Sequence, residues 1–171
     1  MTRRSMKRAL LAALPLASAL GTVVATPPAG ADPNPLTITV SHTEAHPGDE
    51  VTVDVTFTNP ETVPVTFSYL SGYPTWETAI SNVRYAITSC TGDISACWML
   101  PNSLDNSPVM LHQVAIPPGA TRSVEIVYQV LPTSPCGGGR AVGLIFYTYR
   151  ESTAGNFDEI VPAPTGTDVV C

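Results

Sequence analysis

Glu50-Val51-Thr52-Val53-Asp54-Val55-Thr56-Phe57-Thr58 alternates without interruption between polar and apolar residues. A period of two sends successive side chains to opposite sides of an extended backbone, so this stretch reads as a strand with one face in a core and the other in water. After Asn59-Pro60-Glu61-Thr62 the pattern resumes at Val63, Val65, Phe67 and Tyr69, and the two runs read as a hairpin-like pair joined by a turn. The alternation returns in Val124, Ile126, Tyr128 and Val130, set against Ser123, Glu125 and Gln129. Pro117-Pro118-Gly119 supplies a turn ahead of that run, entered by a strand near Val109 to Ile116. Leu36 to Ser41, Val83 to Ser89 and Ala141 to Tyr149 add three more candidates.

Six or seven short strands separated by Pro, Gly and Asn turns predict an all-β, antiparallel sandwich of immunoglobulin type with about seven strands, covering residues 36–171. Long helices are disfavoured, because fourteen of the 17 prolines lie beyond residue 31 and no useful helical period accompanies them.

Upstream of the sandwich the composition changes. Arg3, Arg4, Lys7 and Arg8 form a basic segment, Ala9 to Val24 an apolar one, and Ala29-Gly30-Ala31 places small residues where signal peptidase needs them. Residues 1–31 are therefore expected to be a cleavable signal peptide, cut before Asp32, with residues 32–35 a short proline-rich lead. The apolar run is short for a membrane span, which takes roughly 20 residues, so no stable membrane insertion is expected once the signal is removed. Arg3-Arg4 raises the twin-arginine route, but Met6 and Lys7 fit that motif poorly. Four cysteines favour the general secretory route and a secreted, oxidising destination.

Beyond residue 31 there is no lysine, and four arginines set against 14 acids leave the chain ten charges negative. Such a surface repels phosphate backbones and anionic headgroups, which sets nucleic acid aside as a partner. Cys90, Cys97, Cys136 and Cys171 allow three pairings; proximity in sequence favours Cys90 with Cys97 and Cys136 with Cys171.

No constellation of catalytic chemistry stands out. There is no G-x-S-x-G elbow, and a Ser-Lys pair cannot exist in a mature chain without lysine. The cysteines are expected to be consumed in bridges rather than left as nucleophiles, and they lack the C-x-x-C spacing of a zinc knuckle. His42 and His46 read as solvated turn residues and His112 as a strand residue. The acids of Asp49-Glu50 with Asp54, and of Asp158-Glu159, do not follow a calcium loop. No enzyme, metal or cofactor is expected.

Leu36-Thr37-Ile38-Thr39-Val40, followed by His46-Pro47-Gly48-Asp49-Glu50 and the alternating run to Asn59, resembles the opening strands of the bacterial Ig-like conserved-repeat domains of cell-surface proteins. Ile116-Pro117-Pro118-Gly119-Ala120-Thr121 before an alternating strand is similar to a second hallmark of that family, and a cysteine pair upstream of it also occurs there. The resemblance covers most of the chain beyond residue 31. It implies an Ig-like fold and a spacer or display role without known chemistry. Those domains stand in tandem, whereas this sequence shows a single copy.

The segment that draws attention as a binding element is Tyr69-Leu70-Ser71-Gly72-Tyr73-Pro74-Thr75-Trp76-Glu77, read as an aromatic-rich loop. Its rings either cap the end of the core or, through Tyr69, Tyr73 and Trp76, offer a platform for sugars or peptides. Trp98 is expected to pack on the neighbouring disulfide. Three functions follow in order: a non-catalytic module acting by protein or cell-envelope contact, a carbohydrate-binding module using the Tyr69–Trp76 segment, and a protease inhibitor exposing the loop between Cys90 and Cys97.

Overall fold

The structure, a computed structural model, describes residues 35–99, 108–163 and 166–171. The expected signal peptide and most of the lead lie outside the described residues.

The Glu50–Thr58 run forms a strand with Val51, Val53, Val55 and Phe57 buried, as the alternation requires. In chain order the strands are β1 (Leu36–Val40), β2 (Glu44–Ala45), β3 (Glu50–Thr58), β4 (Val65–Pro74), then a short helix α1 (Trp76–Ile80), β5 (Tyr85–Gly92), β6 (Ala96–Met99), β7 (Pro108–Ile116), β8 (Thr121–Val130), β9 (Ala141–Val142), β10 (Leu144–Ser152), β11 (Gly155–Pro162) and β12 (Thr167–Val169). They assemble into a four-stranded sheet, β1-β3-β8-β5, and a five-stranded sheet, β11-β10-β4-β7-β6; a small third sheet, β2-β12-β9, buries Ala45, Val142 and Val169. All pairings within the two large sheets are antiparallel. Ile38, Val53, Ile126 and Tyr128 from one sheet and Phe67, Met110, Leu144 and Phe146 from the other belong to one core. Phe57 and Phe67 meet edge to face across it, ring centroids 4.5 Å apart.

The all-β sandwich stands, and its strands outnumber the expected seven. The additional ones are two to four residues long, or, like β11, follow a Gly-containing turn without a clean alternation in front of it. Too few residues repeat in such pieces for period two to register.

The hairpin expected around Asn59 does not form. β3 and β4 lie in different sheets, so residues 59–64 carry the chain across the sandwich. Asn59 is buried at this corner, its Nδ2 donating to the Val63 and Ile116 carbonyls and its Oδ1 accepting from Glu61 N–H. Asn59 N–H donates to Ala120 O, and Gly119 N–H to Asn59 O. The second crossing, β7 to β8 through Pro117-Pro118-Gly119, is thereby stitched to the first. Pro60 and Pro64 have no N–H for a ladder, which favours a crossover over a hairpin here.

The expected strand from Ala141 to Tyr149 is divided at Gly143. Its N–H donates to Thr78 Oγ1 at 2.7 Å and its carbonyl accepts from Thr75 N–H at 2.9 Å, so both of its backbone groups are turned towards α1. A Cβ at this position would stand 2.9 Å from Thr75 Cγ2, which is why glycine occupies it.

Both disulfides follow the expected pairing. Cys90 on β5 and Cys97 on β6 join the edge strands of opposite sheets, Cα to Cα 6.3 Å. Cys136 and Cys171, 5.1 Å apart, fasten the C-terminal segment after β12 to the loop before β9.

Candidate interaction face

The alternation that fills the core also decides what the sandwich shows to solvent, and the two outer faces differ in chemistry. On the four-stranded sheet the outward positions include Thr37, Thr39, Thr52, Asp54, Thr56, Thr58, Thr121, Ser123 and Glu125. Their hydroxyls pair across strands, Thr56 with Ser123 at 3.1 Å and Thr58 with Thr121 at 2.9 Å.

On the five-stranded sheet the outward positions carry rings and branched aliphatics. Ile145 stands opposite Tyr73 and Pro162; Tyr147 opposite Ser71 and Ile160; Tyr149 opposite Tyr69 and Asp158. The middle row continues through Val109 to Trp98, and so crosses all five strands. Tyr73, Ile145, Tyr147 and Ile160 line a shallow open groove of about 370 Å³. Ile160 is 65% exposed and Trp98 42%. By contrast, Phe57, Phe67 and Phe146 are buried, and Tyr85 and Tyr128 contact each other edge to face at 5.8 Å.

The Tyr69–Glu77 segment is not a loop. β4 continues to Pro74, and Thr75 caps α1 by accepting from Thr78 N–H at 3.3 Å. Thr78 is the anchor: buried, its hydroxyl donates to Ala141 O and accepts from Gly143 N–H. With that side pinned, Trp76 is left 74% exposed and Ile80 58%, four residues apart and so neighbours on the opposite side. Trp76 therefore does not cap the core, and Trp98, next to its disulfide, leaves part of its ring in solvent. The structure brings Tyr73 into the groove and puts Tyr69 at the register position opposite Tyr149; the Tyr69 side chain lies outside the described part of the structure.

Among the residues whose side chains are described, the charges placed on this face are carboxylates: Asp158 and Glu151 sit at outward positions towards one end of β10 and β11. The one arginine of β10, Arg150, points the other way and is only 7% exposed. Its guanidinium lies 5.5 Å from the ring centroids of both Phe57 and Phe157 and 3.4 Å from Glu159 Oε2. Burial lowers its pKa from the usual arginine value, against the opposing attraction of Glu159 and Glu61.

The loop between Cys90 and Cys97 is held down. Asp93 N–H donates to Ser123 O, Asp93 Oδ2 accepts from Ser123 N–H, and Ile94 packs against the core. No group of three or more metal-ligating side chains occurs among the described residues.

Sequence reasoning puts Ile145, Tyr147 and Tyr149 on one face of a strand whose other face holds Val142, Leu144 and Phe146, the pattern of a central strand or of one that meets a partner; it missed Trp98 and Ile160 as members of the same surface.

No protein-family model matches the chain, nor does any curated protein. Among solved structures, a protein of Corynebacterium diphtheriae described as membrane-anchored is similar with a TM-score of 0.54 at 11% identity, over 80% of this chain and 35% of that one. This chain thus spans about a third of that protein's length. The sixth cohesin of Acetivibrio cellulolyticus scaffoldin B gives a TM-score of 0.46 at 10% identity, over 80% of this chain and 99% of that one. AggA, the major fimbrial subunit from Escherichia coli, gives 0.41 at 8%, over 80% and 95%. What the chain shares with the Corynebacterium diphtheriae protein is its fold alone.

Proposed function

We propose that this chain is a secreted, non-catalytic contact module that meets a protein or cell-envelope partner through the outer face of its five-stranded sheet. Residues 1–31 are its export signal, removed before Asp32 on the general secretory route, and residues 36–171 are the working domain. The observation that carries the reading is the segregation of surface chemistry: Tyr73, Tyr147, Tyr149, Ile160 and Trp98 gather on one outer face while the other is mainly threonine, serine and carboxylates. Tyrosine and tryptophan suit an interface because each supplies apolar area at low entropic cost together with a polar edge. The Ig-like fold shared with surface-associated proteins agrees with an extracellular placement.

A carbohydrate platform is the second reading, favoured by Trp76 standing exposed at the start of α1, just past the end of the strand that carries Tyr73. The inhibitor reading loses its basis, because the loop between Cys90 and Cys97 lies against β8 instead of projecting.

Cross-linking from a photoreactive residue placed at Ile160, followed by mass spectrometry, tests the contact reading. Recovery of one envelope protein, retained in Trp76→Ala, is the expected result. Retention on a polysaccharide that disappears with Trp76→Ala would transfer the assignment to the sugar platform.

A further inference from the structure

We infer that the partner engages the tyrosine face with a basic polypeptide segment, whose lysine or arginine side chains lie along the rings and end at the carboxylates of Asp158 and Glu151. The inference rests on the contact reading above and deepens it by giving the partner a chemistry.

Three observations lead there. Neither lysine nor arginine offers a cation on this face among the described residues: beyond residue 31 the chain has no lysine, Arg150 is turned into the sandwich, and the Arg140 Nη1 donates to the Cys136 and Gly137 carbonyls of its own loop. Arg84 and Arg122 belong to the four-stranded side, just before β5 and on β8. The rings themselves present electron-rich faces, which attract ammonium and guanidinium groups and leave room for their aliphatic stems in the Tyr73–Ile145–Tyr147–Ile160 groove. Finally, the excess of acids opposes a second copy of the chain as occupant, since two such surfaces brought together repel. The row from Trp98 to Ile160 crosses five strands, four spacings of about 4.8 Å, so it matches roughly six residues of extended peptide.

Three octapeptides of one design test this: alternating Arg and Leu, the same with Gln for Arg, and the same with Glu for Arg. Each is titrated against the purified protein, with backbone amide shifts recorded by NMR. The Arg peptide is expected to bind, to shift amides of β4, β10 and β11, and to weaken about tenfold as salt is raised from about 20 to about 300 mM, because screening acts on exposed charges. Asp158→Asn with Glu151→Gln should flatten that salt dependence without unfolding the exposed strand positions, and Ile160→Ala should lower affinity at every salt concentration. Binding of the Gln peptide to the same amides as tightly as the Arg peptide would overturn the basic-segment inference and leave the contact reading standing. Shifts confined to β1, β3 and β8, or no shift with any of the three peptides at millimolar concentration, would overturn the inference; in the second case a glycan titration that moves Trp76 would remove the contact reading as well.

Discussion

On the four-stranded sheet the side chains that turn away from the core are largely threonine, serine and carboxylates, with Thr56 and Thr58 hydrogen-bonded to Ser123 and Thr121 across β3 and β8. On the five-stranded sheet the same positions of the same pleat hold tyrosine, isoleucine and tryptophan, with Ser71 buried beneath them. Both faces satisfy the alternation that folding needs, yet the threonine face is complete in water whereas the tyrosine face leaves aromatic area exposed. The difference teaches that the inner positions specify the sandwich and leave the outer ones free to differ in chemistry from one sheet to the other.

The framework that keeps the two faces apart should show the largest effects. Replacing Cys136 and Cys171 by serine removes a bridge closing 35 residues and should lower stability by about 4 kcal/mol, against about 2 kcal/mol for the seven-residue Cys90–Cys97 bridge. Denaturant melts of the two double variants give the comparison directly. Next comes the corner at which the chain passes from one sheet to the other. Asn59→Ala strips hydrogen bonds from the Val63 and Ile116 carbonyls and from Glu61 N–H, and should cost about 3 kcal/mol, read from the same melts.

Tyrosine inside the sandwich should behave unlike tyrosine on it. Burial pushes the Tyr128 phenol up to about 12, with a smaller opposing pull from Thr167, whose own proton is committed to the His42 carbonyl. Because the folded value lies above the unfolded one near 10, the neutral phenol's contribution is fully present below pH 10 and is lost as pH rises towards 12. The loss is on the order of 2 kcal/mol. Melts between pH 9 and 12 should show it, and Tyr128→Phe should remove most of it.

Single changes on the two outer faces sharpen the contrast further. Ile160→Asp and Thr37→Asp, both at exposed strand positions, should each move stability by no more than about 0.5 kcal/mol. Only Ile160→Asp should weaken partner binding. The smallest effect lies on the threonine face, where Asp54 stands directly opposite Glu125. Replacing Glu125 by lysine should stabilise by roughly 0.2 to 1 kcal/mol, most clearly at low salt.

Much of the fold was legible because period two is strong wherever a strand is long and has one wet face: β1, β3 and β8 were readable from their valines and isoleucines alone. The partnership of β3 with β4 was not. Alternation tells which face a residue occupies but not which sheet its strand joins, and the deciding feature, Asn59 tying two crossings together, depends on Ile116, far along the chain. For the candidate site, Tyr73 and Trp76 were visible as aromatic residues near one another. Trp98 and Ile160 were not, because their place beside Tyr147 is set by strand register across β6, β7, β4, β10 and β11, which no local pattern encodes. The pairing of cysteines was readable since each bridge links near neighbours among the four.

Amide hydrogen exchange of the protein, alone and with cell-envelope extract from its producer, tests the central claim most directly. Added protection confined to β4, β10 and β11, and absent in Ile160→Asp, is the predicted result. Protection centred on β1, β3 and β8, or protection on the five-stranded sheet that Ile160→Asp leaves unchanged, would contradict it.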